Sequence, residues 1–161
     1  MRRWVTTGAA LAALIGLGTW WFSPVQVVKR RTASFLSTIT LDVGAGRTSR
    51  QLATYSLNRM LASEVELDTP TIREANGSFE RSELESGFSW LANQAKQTRF
   101  EIQEIRSVRV EGALATVDLS LEGLVELPHY RPADGIYDVT FEWIKADDAW
   151  RLARVKWYQA Q

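Results

Sequence analysis

The sequence predicts an α+β protein. A short tail and a transmembrane helix occupy residues 1–23, and residues 24–161 form a cone-shaped domain of three helices packed on a curved antiparallel sheet of four to five strands. Three observations carry this. Trp4 to Phe22 is a run of nineteen residues without a charge. Three capping signals open stretches of helical periodicity between Pro24 and Ala95. From Arg99 onward, four long segments alternate apolar and polar residues, with turns short enough only for hairpins.

The apolar run comes first. At about 1.5 Å per residue it reaches roughly 29 Å as a helix, close to the hydrocarbon thickness of a bilayer. Trp4 at one end and Trp20 and Trp21 at the other match the aromatic belts of the two membrane interfaces. A cleaved signal peptide is the competing reading, since Arg2 and Arg3 make a positive leading region. The bulky stretch Thr19-Trp20-Trp21-Phe22-Ser23-Pro24 offers no small-residue cleavage site, however. Lys29, Arg30 and Arg31 then stand where basic side chains meet anionic headgroups. The arginines abutting the run lean the topology toward an inside amino terminus and an outside domain, which for a bacterial source is an inner-membrane protein with its C-terminal domain in the periplasm. Gly8, Ala12 and Gly16, four residues apart, form a small-residue face against which another helix can pack.

Charge is divided unevenly along the chain. Lys/Arg and Asp/Glu both number nineteen, but five of the basic residues and none of the acidic ones lie within residues 1–31. The remainder is mildly acidic and has no basic stripe for nucleic acid. With no cysteine, disulfides and thiol-ligated metals are excluded.

Ser23-Pro24-x-Gln26 has the form of a helix start, and Val28, Phe35 and Ile39 recur at helical spacing, so a first helix is expected from Pro24 to about Leu41. Val43-Gly44-Ala45-Gly46 ends it. Thr48-x-x-Gln51 opens a second helix, carrying Leu52, Tyr55, Met60 and Leu61. Glu64 to Asp68 alternates as a short strand, and Asn76-Gly77 turns the chain. Ser82-x-x-Glu85 caps a third helix whose Leu84, Phe88, Leu91 and Ala95 make one apolar stripe.

Four strands follow, at about Arg99–Val110, Ala113–Leu127, Ile136–Ala146 and Ala149–Tyr158. Turns at Glu111-Gly112 and Asp147-Asp148 make their pairings antiparallel. In the last strand Trp150 and Leu152 share one parity and Val155 and Trp157 the other, so a bulge is expected near Ala153. Strands this long coil, and a helix against their concave side leaves a pocket at the wide end.

The order helix, helix, short strand, helix, long meander resembles the nuclear transport factor 2-like (SnoaL-like, cystatin-roll) superfamily. The local phrases Val108–Val117, Tyr137–Lys145 and Asp147–Trp157 resemble it too. The resemblance covers about residues 25–159 and omits the apolar run. It implies the cone fold and a wide choice of roles: isomerases, dehydratases and cyclases, ligand binders, dimerisation modules, and membrane-anchored domains of bacterial envelope assemblies. The layout of this chain resembles the last group. Enzymes of the superfamily commonly place an Asp, or an Asp–His pair, inside the cone to move a proton.

Candidate chemistry is sparse. The one histidine, His129, stands among Pro128, Tyr130, Arg131 and Pro132, as in a rim loop. Asp118 and Glu142 are the candidate acids, each on the strand parity opposite its apolar neighbours; the alternative is a solvent-facing carboxylate paired with Arg106, Arg151 or Arg154. Which sheet face they occupy therefore discriminates. Tyr55 and Tyr137 are candidate hydroxyl donors into a pocket. Gly44 to Ser49 lacks the lysine and spacing of a phosphate-binding loop, Asp134-Gly135 and Asp147-Asp148 lack the ligands of a calcium loop, and no cofactor is expected.

The sequence is thus read as a membrane-anchored, non-catalytic structural or interaction subunit of a larger membrane complex. Its partners would be membrane lipids and other membrane proteins or a second copy, with Trp143 or Trp157 available for a patch on the convex sheet face. The alternatives are a binding module for a small apolar ligand in the cone, and a proton-transfer enzyme using Asp118 or Glu142.

Overall fold

A computed structural model describes residues 20–70 and 75–160. Helix α1 (Pro24–Ile39) begins as its sequence requires: Ser23 Oγ accepts the Gln26 N–H at 3.4 Å and Pro24 takes the first turn. Its buried face is Val28, Thr32, Phe35 and Leu36. The buried Thr32 hydroxyl is satisfied within the helix, donating to Val28 O at 3.0 Å. Beyond the helix, Leu41 exchanges two backbone hydrogen bonds with Thr98, and the Thr98 hydroxyl donates to Ile39 O at 2.6 Å. The end of α1 is thereby tied to the sheet.

Helix α2 (Arg47–Asn58) starts one residue before the expected Thr48, from Gly46, with no side-chain cap. It is held instead by Arg50, whose guanidinium donates to Ala45 O, Ala92 O and Ala95 O. Next come β1 (Leu61–Asp68), β2 (Gly77–Glu80) and helix α3 (Arg81–Gln94). The cap of α3 is Glu80 rather than Ser82: Glu80 and Glu83 form a reciprocal capping box, with Glu83 Oε2 accepting the Glu80 N–H at 2.7 Å.

Strands β3 (Gln97–Glu111), β4 (Leu114–Glu126), β5 (Ala133–Ala146) and β6 (Ala149–Gln159) make the expected antiparallel meander. Among the described residues the sheet has six strands in the order β2-β1-β6-β5-β4-β3, against the four to five expected, and one pair of them is parallel, β1 with β6. Strands of eleven to fifteen residues accumulate twist, and bulges in β3 and at Ala153 of β6 add to it. The sheet therefore curves. Its concave face carries Val117, Leu119, Leu121, Val139, Phe141, Trp143 and Leu152, all essentially inaccessible. Phe35 of α1 meets this face edge-on, with ring centroids 5.6 Å from Phe141 and 6.2 Å from Trp143.

The expectation of a membrane anchor is corrected here. Among the described residues no helix is long and apolar enough to cross a membrane. The single-pass topology, the periplasmic placement and the lipid and membrane-complex partners expected from that anchor are not borne out; of the expected span only Trp20, Trp21 and Phe22 lie within the described residues. Trp4, Gly8, Ala12 and Gly16 lie outside the described residues. Trp20 and Trp21 are exposed ahead of the Ser23 cap. The basic triplet belongs to the folded domain: all three side chains are half-buried on α1. Arg30 lies 4.5 Å over the Trp21 ring and donates to Trp21 O at 2.9 Å, and Arg31 is bonded to the backbone of β6.

Candidate functional site

The three helices do not fill the concave face. Between α1, α3, β1 and β6 lies a cavity of about 460 Å3. Phe35 and Ile39 form its wall on α1, Leu61, Val65 and Leu67 on β1, Leu152 and Val155 on β6, and Phe79 of β2 closes the side. Helix α3 supplies Glu83, Leu84, Gly87, Phe88 and Leu91, spaced so that they share one helix face. Among the described residues the lining is apolar with one exception: the Glu83 carboxylate stands at the first turn of α3, where it is already engaged in the capping box.

Gly87 is the residue that sequence reading missed. A glycine inside a helix costs about 1 kcal/mol relative to alanine, and no positive φ excuses this one. A Cβ added at Gly87 would meet nothing within 4 Å. The missing side chain therefore opens space along the α3 wall. Leu84, Phe88 and Leu91 were legible as a stripe; the gap in the stripe was the signal.

A smaller cleft of about 260 Å3 lies at the other end of the concave face, lined by Phe100, Gly123, Val125, Tyr137 and Trp157 among others. Tyr137 and Trp157 have ring centroids 4.6 Å apart, and Phe100 meets Trp157 edge-on at 6.1 Å. The Tyr137 ring lies on glycine backbone: a Cβ at Gly135 would stand 3.2 Å from the Tyr137 hydroxyl, and one at Gly123 3.3 Å from its ring. Tyr137 thus lines this cleft, not the main cavity. Tyr55 lines neither, being 61% exposed on α2.

Asp118 and Glu142 occupy the convex face, away from the helices and the cavity. Asp118 accepts hydrogen bonds from Ser107 at 2.6 Å, Thr140 at 2.7 Å and Arg109 at 3.3 Å. Partial burial pushes its carboxyl up, but the two hydroxyl donors, then Arg109, outweigh that and hold it below the usual carboxylate range. Glu142 faces Lys156 at 3.1 Å and Arg154 at 3.7 Å, and Arg154 also grips Glu66. Trp143 and Trp157 both turn to the concave side, so neither supplies an apolar patch to the convex face. His129 is exposed in the β4–β5 loop, with a positive φ of 67°. Among the described residues no group of three His, Asp or Glu is placed to hold a metal ion.

A curved six-stranded sheet with helices on its concave face, leaving an apolar cavity beneath them, is an architecture found in several solved proteins. One, assigned as a dehydratase of the nuclear transport factor 2-like family from Streptomyces avermitilis, superposes with a TM-score of 0.64 over 85% of this chain and 96% of that one, at 13% identity. A protein assigned as an aromatic ring hydroxylase from Novosphingobium aromaticivorans gives 0.67 over 84% and 87%, at 9% identity. One assigned as a calcium/calmodulin-dependent protein kinase II association domain from Xanthomonas campestris gives 0.61 over 84% and 86%, at 14% identity. The chain has the nuclear transport factor 2-like fold. No family model matches the sequence, and no curated protein matches it. At these identities the likeness is one of fold. The assigned roles of the three differ, so nuclear transport factor 2-like architecture does not by itself select a chemistry.

Proposed function

We propose that this domain binds a small apolar molecule in the cavity beneath α1 and α3. The observation that carries the reading is the cavity lining: among the described residues it is hydrocarbon apart from Glu83, around a volume of about 460 Å3, within the range of small-molecule sites of roughly 300–1,000 Å3. Side chains around an unfilled space forgo dispersion contacts on one side, and a ligand of matching shape restores them. The reading is of binding without turnover. Proton transfer needs an ionisable group held against the ligand, and Glu83 is the one carboxylate on the described lining, already accepting a backbone N–H. Asp118 and Glu142 face the other way.

The test is a titration with the neutral fluorophore N-phenyl-1-naphthylamine, whose emission rises in an apolar site. A saturable one-to-one curve is expected, with Kd on the order of 10 μM. Gly87→Leu, which fills the α3 wall, should abolish it, and Asp118→Asn on the convex face should leave it unchanged. Absence of saturable binding, or equal loss in both variants, would sink the reading.

A further inference from the structure

The corner between α2 and β1 borders two separate hollows. Leu57 and Leu61 line the apolar cavity, whereas Ser56, Arg59 and Met60 line a hollow of about 370 Å3 completed by Arg31 of α1 and Ala149 and Arg151 of β6. Three guanidinium groups, distant in sequence, are gathered there. Their hydrogen bonds go to backbone carbonyls: Arg31 Nε donates to Trp150 O at 3.1 Å, Arg31 Nη2 to Arg59 O at 3.2 Å, and Arg151 Nη1 to the same Arg59 O. Such bonds orient the groups but cancel no charge.

Arg50 and Arg81 likewise donate to backbone carbonyls, whereas four arginines of the sheet strands are ion-paired. Arg99, Arg106, Arg109 and Arg154 each face a carboxylate. Among the described residues, no carboxylate lies within ion-pair distance of Arg31, Arg59 or Arg151. Burial, then the neighbouring charges of Arg151 and Arg59, push the Arg31 guanidinium below its ordinary range. Three like charges are held together at a cost that an anion would remove.

We propose that this hollow binds a tetrahedral oxyanion, the phosphate group of a small molecule or the free ion, through Arg31, Arg59 and Arg151 with the Ser56 hydroxyl as a further donor. The planar fork of a guanidinium matches two phosphate oxygens at once. Arg31 and Arg151 are already oriented by their backbone bonds, and the Arg59 guanidinium has no hydrogen-bond partner among the described residues, leaving all its donors for the ligand. The site is independent of the apolar cavity and of what the cavity holds.

Isothermal titration of the whole protein with inorganic phosphate, and separately with glycerol 3-phosphate, tests this at low, matched ionic strength. One saturable site below about 1 mM is expected; tighter binding of the ester would mark an organic phosphate as the ligand, tighter binding of the ion a free oxyanion. Arg59→Gln, which breaks no side-chain bond of the fold, should weaken binding at least about fivefold. Arg47→Gln makes the same charge change about 18 Å away at the start of α2 and should alter it by less than about twofold. As a second measurement, phosphate should raise the melting temperature of the unmodified protein saturably, beyond chloride at equal ionic strength. No saturable heat, equal weakening by both variants, or equal stabilisation by chloride would overturn the proposal.

Discussion

Asp118 Oδ1 accepts the Thr140 hydroxyl at 2.7 Å across the β4–β5 pair, on the sheet face turned away from the cavity. The bond belongs to a small polar network with Ser107 and Arg109, and it stabilises the ionised carboxylate. A carboxyl whose folded pKa is depressed contributes stability above its unfolded value and loses that contribution as pH falls through the folded value. Asp118→Asn should therefore cost about 1–2 kcal/mol at neutral pH, the lower part of the scale of hydrogen bonds to a charged group because solvent screens this partly exposed network. The difference from the unmodified protein should shrink as the pH falls from about 5 through the folded value. Urea denaturation of both at several pH values reads this; a pH-independent difference would remove the assignment of charge to the network.

Gly87 separates stability from binding. Gly87→Ala should stabilise the protein by about 0.5–1 kcal/mol, because an alanine in mid-helix loses less entropy and here meets no obstacle. Gly87→Leu should keep that gain while excluding the fluorophore from the cavity. Thermal melts paired with the titration distinguish the two effects. A destabilised Gly87→Ala would mean that the α3 wall is already full.

The β5–β6 hairpin turns through Asp147 and Asp148, both with positive φ, 50° and 58°. That is the pattern of a type I′ turn, where glycine at the second position fits best. Asp148→Gly should raise stability by about 0.5–1 kcal/mol, since it relieves left-handed strain in a residue with a Cβ. A melting temperature at or below that of the unmodified protein would contradict the turn assignment.

Local signals in the sequence recovered local structure. Ser23-Pro24-x-Gln26 marked the true start of α1, and the parity switch between Leu152 and Val155 located the bulge at Ala153. The four meander strands were legible because period-two alternation persists over many residues. Non-local features were not. The pairing of β1 parallel to β6 joins strands at opposite ends of the domain, and no turn motif announces it. The four-residue β2 is too short to show a period. Ser82 looked like a cap, yet the capping box formed two residues earlier on Glu80, whose carboxylate accepts the backbone N–H of Glu83. The cavity was foreseen from coiled strands, but not its lining, because α1, β1 and β6 meet there through tertiary packing. The arginine cluster was illegible for the same reason. Arg31 read as a membrane flank only because its neighbours in space, Arg59 and Arg151, are far away in the chain.

Trp143 has no accessible surface, and its indole Nε1 has no hydrogen-bond partner among the described residues. A buried donor left unmade costs about 1–3 kcal/mol, so this residue carries a penalty that its packing must exceed. The ring packs between Phe35 of α1 and the strands on either side, which explains why a large aromatic is kept. Trp143→Phe removes the orphan donor and retains an aromatic ring against Phe35, while losing part of the buried area. The two effects oppose each other, and the net cost should be under about 1 kcal/mol. Trp143→Ala removes the packing altogether and should cost about 3–5 kcal/mol. Chemical denaturation of the two variants side by side measures both. A cost for Trp143→Phe close to that of Trp143→Ala would contradict the reading of the indole N–H as an unpaired donor.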